Sequence, residues 1–316
     1  MVESSAKNQR NLFQRFNLEV RDHMLAWQQA VLIFGGLLLG LFLSALMLVV
    51  AGVGVSDLLN EFIISIFTSS RNINAVLLLS APLVIVGLSA AIGFKARFWN
   101  IGIEGQVIFG AIGATLIANY DIGPDGFRVL LMGLVAALFG MAWIALPMVL
   151  RLKLQVNEII STLLLNYIAF NFLLHLLFGS WKDPITSFPN SKIYDQFERL
   201  PKLAGLDFNV SILLALALVI IFVWVLAVSR FGFVLKFVYS NSKMAKSIGI
   251  NVGVLVACAA LASGALSGIA GFTISASIDS RLTQSFFVGY GFLGILIGFL
   301  ARNNPLLVVL FSVMMA

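Results

Sequence analysis

Charged residues are scarce in this sequence: aspartate, glutamate, lysine and arginine make up 11% of the 316 residues, whereas 60% are hydrophobic. A soluble globular domain carries about 25% charged residues, so an ordinary soluble protein is excluded. The hydrophobic runs lack strict alternation and fit helices of about 20 residues better than the strands of a membrane barrel. The sequence therefore predicts an all-α, polytopic transmembrane helical bundle.

Residues and motifs that enzymes use are also few. The single cysteine, Cys258, lies in a hydrophobic run and excludes an internal disulfide. The phosphate-loop, H-E-x-x-H and G-x-S-x-G motifs are absent from the sequence. A G-x-G-x-x-G pattern at 289–294 follows no predicted strand, and no acidic residue comes after it, so we do not infer dinucleotide binding. We predict no catalytic residue, no metal and no cofactor in this chain.

Hydrophobic segments predict about 8–10 spans. With the N-terminus in the cytoplasm, thirteen of the 20 lysine and arginine residues fall on the cytoplasmic side, as the positive-inside rule requires. The net charge of +6 then reflects loop composition and does not imply nucleic-acid binding. The last segment is too short to cross and is expected to need residues beyond Ala316. The predicted segments are 28–51, 74–93, 101–119, 128–150, 157–179, 208–228, 252–275, 287–301 and a ninth from Pro305.

The chain is divided here into a cytoplasmic N-terminal segment, 1–27, and a single transmembrane domain, 28–316. The loop at 180–207 is predicted to be extracytoplasmic and the loop at 229–250 cytoplasmic. One interpretation of the N-terminal segment is an interfacial helix, and the alternative is a solvated tail. The helix interpretation depends on hydrophobic residues at helical spacing: Phe13, Phe16, Val20 and Met24.

Small residues indicate close helix contacts in the span 252–275. Gly264 and Gly268 form a G-x-x-x-G pattern, and Ser263, Ser267 and Gly271 form a second small face beside it. Such spacing lets helix backbones approach one another in lipid. We therefore expect this helix to be buried among others.

Two of the fourteen acidic residues touch predicted spans, namely Glu104 and Glu158. A carboxylate in the first turn of a helix is stabilised by the helix dipole and by unpaired backbone N–H groups, without any functional role. Glycine on both sides of Glu104, at 102 and 105, favours a broken helix or a close backbone crossing instead. Transporters place polar groups at broken helices.

The span 157–179 has the densest polar content of any predicted helix. Polar side chains within the membrane normally face the bundle interior or a water-filled path. We favour a role in lining a pathway, and the alternative is hydrogen bonding between helices. The polar residues of this span are Asn157, Glu158, Ser161, Thr162, Asn166, Asn171 and His175.

Several segments, in order along the chain, resemble the membrane permeases of bacterial ABC importers for branched-chain amino acids, simple sugars and nucleosides. The first two are most like the nucleoside branch. The segments are NIGIEGQ (100–106), NEIISTLLLNYIA (157–169), SRFGFVLKFVYSNSKMAKSIGINV (229–252) and RLTQSFFVGYGFLGILIGFLARNNPLLVVLF (281–311).

The resemblance implies a multi-pass protein of the bacterial cytoplasmic membrane, surrounded by lipid, that works with other subunits. It implies a second homologous permease, cytoplasmic subunits that bind ATP, and an extracytoplasmic substrate-binding lipoprotein. It also implies that the 229–250 loop couples the permease to the ATPase. Ser240 stands where the family usually has glycine. The residues that match the coupling pattern are Leu235, Asn241, Ala245, Gly249 and Ile250.

The resemblance also implies a role for the segment NIGIEGQ. It would begin a packed helix, with Glu104 held by backbone donors and in addition by Asn100 or Gln106, in a packing or gating role. Gly264 and Gly268 are assigned to the same packing and gating group on their spacing.

We therefore predict a non-enzymatic permease subunit that imports nucleosides by alternating access. Alternatives are a permease for sugars or branched-chain amino acids, and an ion-coupled transporter with a proton relay of Glu104, Glu158 and His175. A membrane-embedded enzyme lacks any catalytic constellation. The predicted pathway residues are Glu158, Thr162 and Asn166, together with Phe286, Phe287 and Tyr290 at an expected outer mouth, where aromatic faces stack a base.

Overall fold

The structure of the protein is a computed structural model, which describes residues 25–202, 209–286 and 289–316. The chain divides into two compact units, Met1–Thr68 and Ser69–Ala316. The interfacial helix predicted between Phe13 and Met24 lies outside the described residues. Whether the N-terminal segment is a separate cytoplasmic piece therefore stays a prediction.

The first unit contains one long helix, α1, followed by short helical pieces. Helix α1 (Ala26–Val50) has predominantly exposed apolar side chains, among them Leu38 and Phe42. Apolar side chains that face outward along a whole helix are typical of contact with lipid. After α1 come α2 (Val55–Leu59), a π-helical turn (Asn60–Ile64) and α3 (Ser65–Thr68).

The second unit is a bundle of apolar helices joined by short loops and one longer loop. It begins with α4 (Ser70–Lys95), α5 (Ile103–Asn119), α6 (Asp125–Leu154) and α7 (Glu158–Phe178). It continues with α8 (Val210–Val228), α9 (Arg230–Ser240), α10 (Ser242–Ser247) and α11 (Val252–Ile274), which runs on into a π-helical turn (Ser275–Asp279). It ends with α12 (Tyr290–Leu300) and α13 (Pro305–Met315).

The helical content confirms the predicted all-α, polytopic fold. Within the described ranges no strand occurs, and six helices are long and apolar enough to cross a membrane. Three shorter apolar helices, α5, α12 and α13, complete the set, and each predicted segment corresponds to one of these nine helices. The protein is therefore a multi-pass membrane protein. The side on which the N-terminus lies stays a prediction.

Helix α11 forms the centre of the second unit because its small residues let neighbouring backbones touch it. A Cβ atom at Gly264 would lie 2.6 Å from the carbonyl oxygen of Gly140 in α6. A Cβ atom at Gly268 would collide with the carbonyl oxygen of Ala136, one turn further along α6. In lipid, apolar side chains gain little free energy by packing between helices, because the lipid tails are equally apolar. Helices associate there through such close contacts of their backbones. In this structure Gly264 and Gly268 thus pack against α6, and a gating role for them stays a prediction.

The long loop after α7 packs against the turn that follows α11. Main-chain hydrogen bonds run from Ser191 to Leu282 (2.9 Å) and from Tyr194 to Ser280 (2.8 Å). The buried hydroxyl of Tyr194 lies 2.5 Å from the hydroxyl of Thr115 in α5. Burial disfavours the phenolate and raises the pKa of Tyr194 to about 12, so this side chain stays neutral at physiological pH.

A buried ion pair anchors the same loop to the start of α6. Arg128 Nη1 lies 2.9 Å from the carboxylate of Glu198, and both side chains are buried. The guanidinium also contacts the more exposed carboxylates of Asp121 (3.1 Å) and Asp125 (2.7 Å). A buried charge is tolerated only when it is paired, so Arg128 and Glu198 require each other.

Candidate functional site

The segment between α4 and α5 folds back into the protein instead of staying at its surface. Arg97 has a left-handed backbone conformation (φ 55°) directly after α4, and the chain reverses there. Asn100, three residues later, is fully buried. Its amide exchanges two hydrogen bonds with Gln106 (3.0 and 2.9 Å), donates to Ser263 Oγ (3.0 Å) and accepts from the N–H of Gly102 (3.1 Å). These bonds use the full capacity of the amide and fix the position at which α5 begins.

The hydrogen bonds of Asn100 continue into a buried cluster of serines. Ser263 Oγ lies 2.9 Å from Ser89 Oγ of α4, and Ser89 Oγ lies 2.7 Å from Ser267 Oγ of α11. All three hydroxyls are fully buried. Because a buried hydroxyl without a partner is costly, the cluster holds α4, α11 and the start of α5 in one relative position.

The carboxylate of Glu104 caps the N-terminus of a different helix, α12. Its two oxygens accept hydrogen bonds from the N–H groups of Gly289 (3.0 Å) and Gly291 (2.5 Å), and the residue is 1% exposed. The first N–H groups of a helix lack intrahelical partners and carry a partial positive charge, which stabilises a carboxylate. Backbone donors thus hold Glu104. Asn100 and Gln106, the side chains expected as additional partners, bond to each other instead.

Glu104 lies deeper in the bundle than the cytoplasmic helix end where the sequence placed it. Helix α12 runs parallel to α4, since Gly298 packs on Ala90 and Gly294 packs on Val86. At 1.5 Å per residue, the level of Gly291, which contacts Glu104, is about 18 Å along the axis from the end of α4. The hydrocarbon core of a bilayer is about 30 Å thick, so a membrane boundary at the end of α4 would put this carboxylate near the middle of the core. The reason is the inward fold of the preceding segment.

Glycine is required at position 291 by the close approach of α5. A Cβ atom there would lie 2.6 Å from the Cα atom and 2.7 Å from the Oε2 atom of Glu104, and it would collide with the Glu104 backbone nitrogen. The backbone of α5 cannot retreat, because Asn100 and Gln106 hold it. Gly291 therefore lets the N-terminus of α12 reach the carboxylate.

Three of the predicted pathway residues, Glu158, Thr162 and Asn166, lie along the side of α7 that faces the start of α5. The buried amide of Asn166 accepts from the N–H of Gly105 (2.8 Å) and donates to the carbonyl of Ile101 (2.9 Å). Thr162 Oγ accepts from the N–H of Ile101 (3.2 Å). Their side chains thus bind protein backbone in this structure, and their role in a substrate pathway stays a prediction.

Two of the remaining predicted pathway residues, Phe286 and Tyr290, lie around the start of α12. Phe286 is buried, and Phe287 lies outside the described residues. Tyr290 is the first residue of α12 and is partly buried. Because it neighbours the N–H groups that bind Glu104, it lies near the middle of the bundle, deeper than the outer mouth expected from the sequence.

The predicted coupling segment forms two short helices, α9 and α10, joined at Asn241. The side chain of Asn241 accepts hydrogen bonds from the N–H groups of Lys243 (3.1 Å) and Met244 (3.0 Å) and so caps α10. Gly249 follows α10 with a φ of 86°, a conformation that favours glycine. The other matched residues pack inward: Leu235 and Ala245 are buried, and Ile250 is partly buried.

Arginine side chains tie the coupling segment to the 97–104 region, a feature that sequence reasoning missed. The guanidinium of Arg97 donates to the carbonyls of Tyr239 (2.9 Å) and Ser240 (3.2 Å) at the end of α9. Arg151 of α6 donates to the carbonyl of Arg97 (2.6 Å) and pairs with Glu158 (3.0 Å). The sequence places both arginines only among the thirteen lysine and arginine residues expected on the cytoplasmic side, and their partners are distant in sequence.

Helix α7 leaves a mixed polar and apolar face uncovered. Asn171 and His175 are exposed on this face, together with Tyr167 and Phe172. Polar side chains in a membrane span rarely face lipid. This face therefore points to a water-filled space or to another protein subunit.

An apolar helical bundle with a buried carboxylate, a half-length helix and a basic segment at one end is typical of a membrane transport component. Comparison with known families gives a match over residues 72–316 to the family described as "Branched-chain amino acid transport system / permease component". The chain belongs to this permease family. The recognition made from the four sequence segments is thus confirmed.

Several curated relatives are similar over most of their length. The glucose ABC transporter permease protein TsgB13 of Haloferax volcanii is 32% identical over 86% of this chain and 75% of its own. The guanosine ABC transporter permease protein NupP of Bacillus subtilis is 27% identical over 87% of this chain and 80% of its own. The nucleoside ABC transporter permease protein NupB of Lactococcus lactis is 25% identical over 84% and 76%. No solved structure matches the chain.

Proposed function

We propose that this ABC transporter permease imports nucleosides across the bacterial cytoplasmic membrane by alternating access, with ATP hydrolysed by partner subunits. One observation carries the proposal. The segment 97–104 joins the coupling segment to the middle of the bundle, because Arg97 bonds to Ser240 at one end of it and Glu104 bonds to α12 at the other. A shift of α9 on its partner would reach α12 through these contacts.

The position of Glu104 supports an uncharged substrate. In transporters, the N-termini of half-length helices near the membrane middle point at anionic substrate groups. Here the N-terminus of α12 already binds the protein's own carboxylate. A substrate carboxylate, such as that of a branched-chain amino acid, would find this position occupied. A nucleoside or a sugar has no such group to place there.

The relatives favour nucleosides, and one of them favours a second candidate. Two of the relatives described above are named for guanosine or nucleoside transport. The relative with 32% identity is named for glucose, so a simple sugar is the second candidate substrate. The ion-coupled alternative is not retained, because the chain belongs to a permease family of transport systems with separate components.

We propose the same partners that the resemblance implied. The exposed face of α7, with Asn171 and His175, would meet a second homologous permease or line the passage between the two. The segment α9–α10 would dock on a cytoplasmic ATP-binding subunit. A substrate-binding lipoprotein would deliver the nucleoside on the opposite side, where the 180–202 loop lies.

Uptake into proteoliposomes tests this proposal. The vesicles would hold this chain, the second permease and the ATP-binding subunit, with the binding protein outside and either labelled guanosine or labelled glucose. We expect ATP-dependent uptake of guanosine that unlabelled nucleosides abolish and glucose does not. Uptake of glucose alone would establish the second candidate. Uptake that follows a proton gradient and ignores ATP would overturn both.

Single variants test the predicted pathway within the same assay. Asn166→Ala and Tyr290→Ala should each reduce uptake at least several-fold, whereas Leu138→Ala, at an exposed position on α6, should leave it unchanged. Thermal unfolding in detergent separates a loss of passage from a loss of folding. Full uptake by both variants would refute the pathway assignment.

A further inference from the structure

A cavity of about 300 Å³ lies where α4, α8 and α9 meet, at the end of the bundle that carries the coupling segment. Its volume is at the lower end of the range of small-ligand pockets. The wall from α4 is its last residue, Lys95, and the wall from α8 is Leu226 near its end. The remaining lining residues belong to α9: Gly232, Leu235, Lys236, Tyr239 and Ser240.

Two lysines line this cavity, and no carboxylate lines it. Lys95 is partly buried, and the charge of Lys236 acts on it across the cavity. In the part of the chain that the structure describes, neither lysine has an ion pair within 4 Å, although six such pairs occur elsewhere. Two like charges that share a partly desolvated space repel each other, and a bound anion removes the repulsion.

The helix dipole explains only one of these lysines. A cation in the last turn of α4 is stabilised by the negative end of that helix, which accounts for Lys95. Lys236 lies in the middle of α9, where no helix end favours it, and yet it lines the same cavity. The convergence of two cations from separate helices is the feature that points to a ligand.

We infer that this cavity binds a phosphate group between Lys95 and Lys236, carried by an anionic phospholipid headgroup or by a soluble phosphate compound. Lysine ammonium groups bind phosphate as point charges and need no fixed geometry. Basic pockets between transmembrane helices on the cytoplasmic side bind anionic headgroups. The apolar side chains of Leu226 and Leu235 in the same wall suit an amphiphilic ligand, since α8 is a candidate membrane span.

This inference does not depend on the transported substrate, and its test measures binding alone. The full chain, purified with its partner subunits, would be placed in nanodiscs of phosphatidylcholine containing a minority of phosphatidylglycerol. Native mass spectrometry then counts the phosphatidylglycerol molecules retained on the protein. A second arm adds glycerol phosphate or inorganic phosphate, which displaces the lipid only if soluble phosphates occupy the same cavity.

Two variants and a matched control make the test specific. Each lysine removed should weaken binding about fivefold, so Lys95→Gln and Lys236→Gln together should weaken it about 25-fold. Lys236→Glu places a carboxylate opposite Lys95 at an exposed position and should abolish binding without affecting folding. Lys153→Gln removes an exposed cation in the last turn of α6, outside the cavity, and should leave phosphatidylglycerol binding unchanged.

Three outcomes would overturn the inference. The first is equal retention of phosphatidylglycerol by the wild type and by Lys236→Glu. The second is an equal loss in Lys153→Gln, which would show only a diffuse surface attraction. The third is that neither lipid nor phosphate binds, while a zero-length cross-link forms between Lys236 and an acidic residue of the ATP-binding subunit. That result would show that a protein carboxylate fills the cavity.

Discussion

Replacement of Glu104 tests the link between α5 and α12 most directly. Glu104→Ala leaves the N–H groups of Gly289 and Gly291 without their acceptors in a buried site. An unsatisfied buried donor costs about 1–3 kcal/mol, so the two together cost about 2–6 kcal/mol. Glu104→Gln keeps one acceptor oxygen and turns the amide NH₂ toward the other donor, so we expect roughly half of that loss.

The assay combines thermal unfolding in detergent with uptake in proteoliposomes. Both the unfolding temperature and the uptake should fall in the order wild type, Glu104→Gln, Glu104→Ala. Glu61→Ala, which removes an exposed carboxylate in the first unit, serves as the control and should match the wild type. If Glu104→Ala unfolds at the wild-type temperature and transports at the wild-type rate, the carboxylate does not hold α12 in place.

Further variants test other contacts of the second unit. Gly291→Ala should prevent accumulation of monodisperse protein or abolish uptake, because the added Cβ would meet the backbone of Glu104; normal yield and uptake would contradict the packing. Arg128→Ala leaves Glu198 buried without its partner and should lower the free energy of unfolding by about 3–5 kcal/mol in denaturant. A loss below about 1 kcal/mol, as for an exposed ion pair, would contradict the buried pairing. Arg97→Ala changes an exposed side chain, so stability should stay within about 0.5 kcal/mol while ATP hydrolysis continues and uptake falls; parallel loss of both activities would argue against a coupling role.

Much of the helical architecture could be predicted from the sequence, because the length of an apolar run is set by membrane thickness. All nine predicted segments correspond to helices, with ends that shift by a few residues. The depth of α5 and α12 could not be predicted in this way. Their position depends on bonds such as that from Gly289 to Glu104, which joins residues 185 positions apart. Hydropathy measures transfer into lipid and contains no term for such a contact.

The buried segment 100–106 could be singled out from the sequence, but its contacts could not. The segment from Asn100 to Gln106 stands out because a carboxylate with glycine on both sides is unusual in an apolar run. The partners of Asn100 and Glu104 could not be read from the same segment, since Ser263 and Gly291 are contributed by later helices. Arg97 was missed for the opposite reason: a cation at a cytoplasmic helix end is expected there in any case, so its role at α9 left no sequence signal.

The contacts at the two ends of the 97–104 segment differ in strength, and this difference indicates where movement occurs. Arg97 is exposed and bonds to neutral carbonyls, contacts that water can replace at little cost. Asn100 and Glu104 are buried, and their loss would leave polar groups unsatisfied in the membrane interior. A shift of α9 would therefore remake the bonds of Arg97 first, while Asn100 and Glu104 move with α5 and α12 as one body. Arg97, where the backbone already reverses direction, would then be the joint through which a shift of α9 passes to this body.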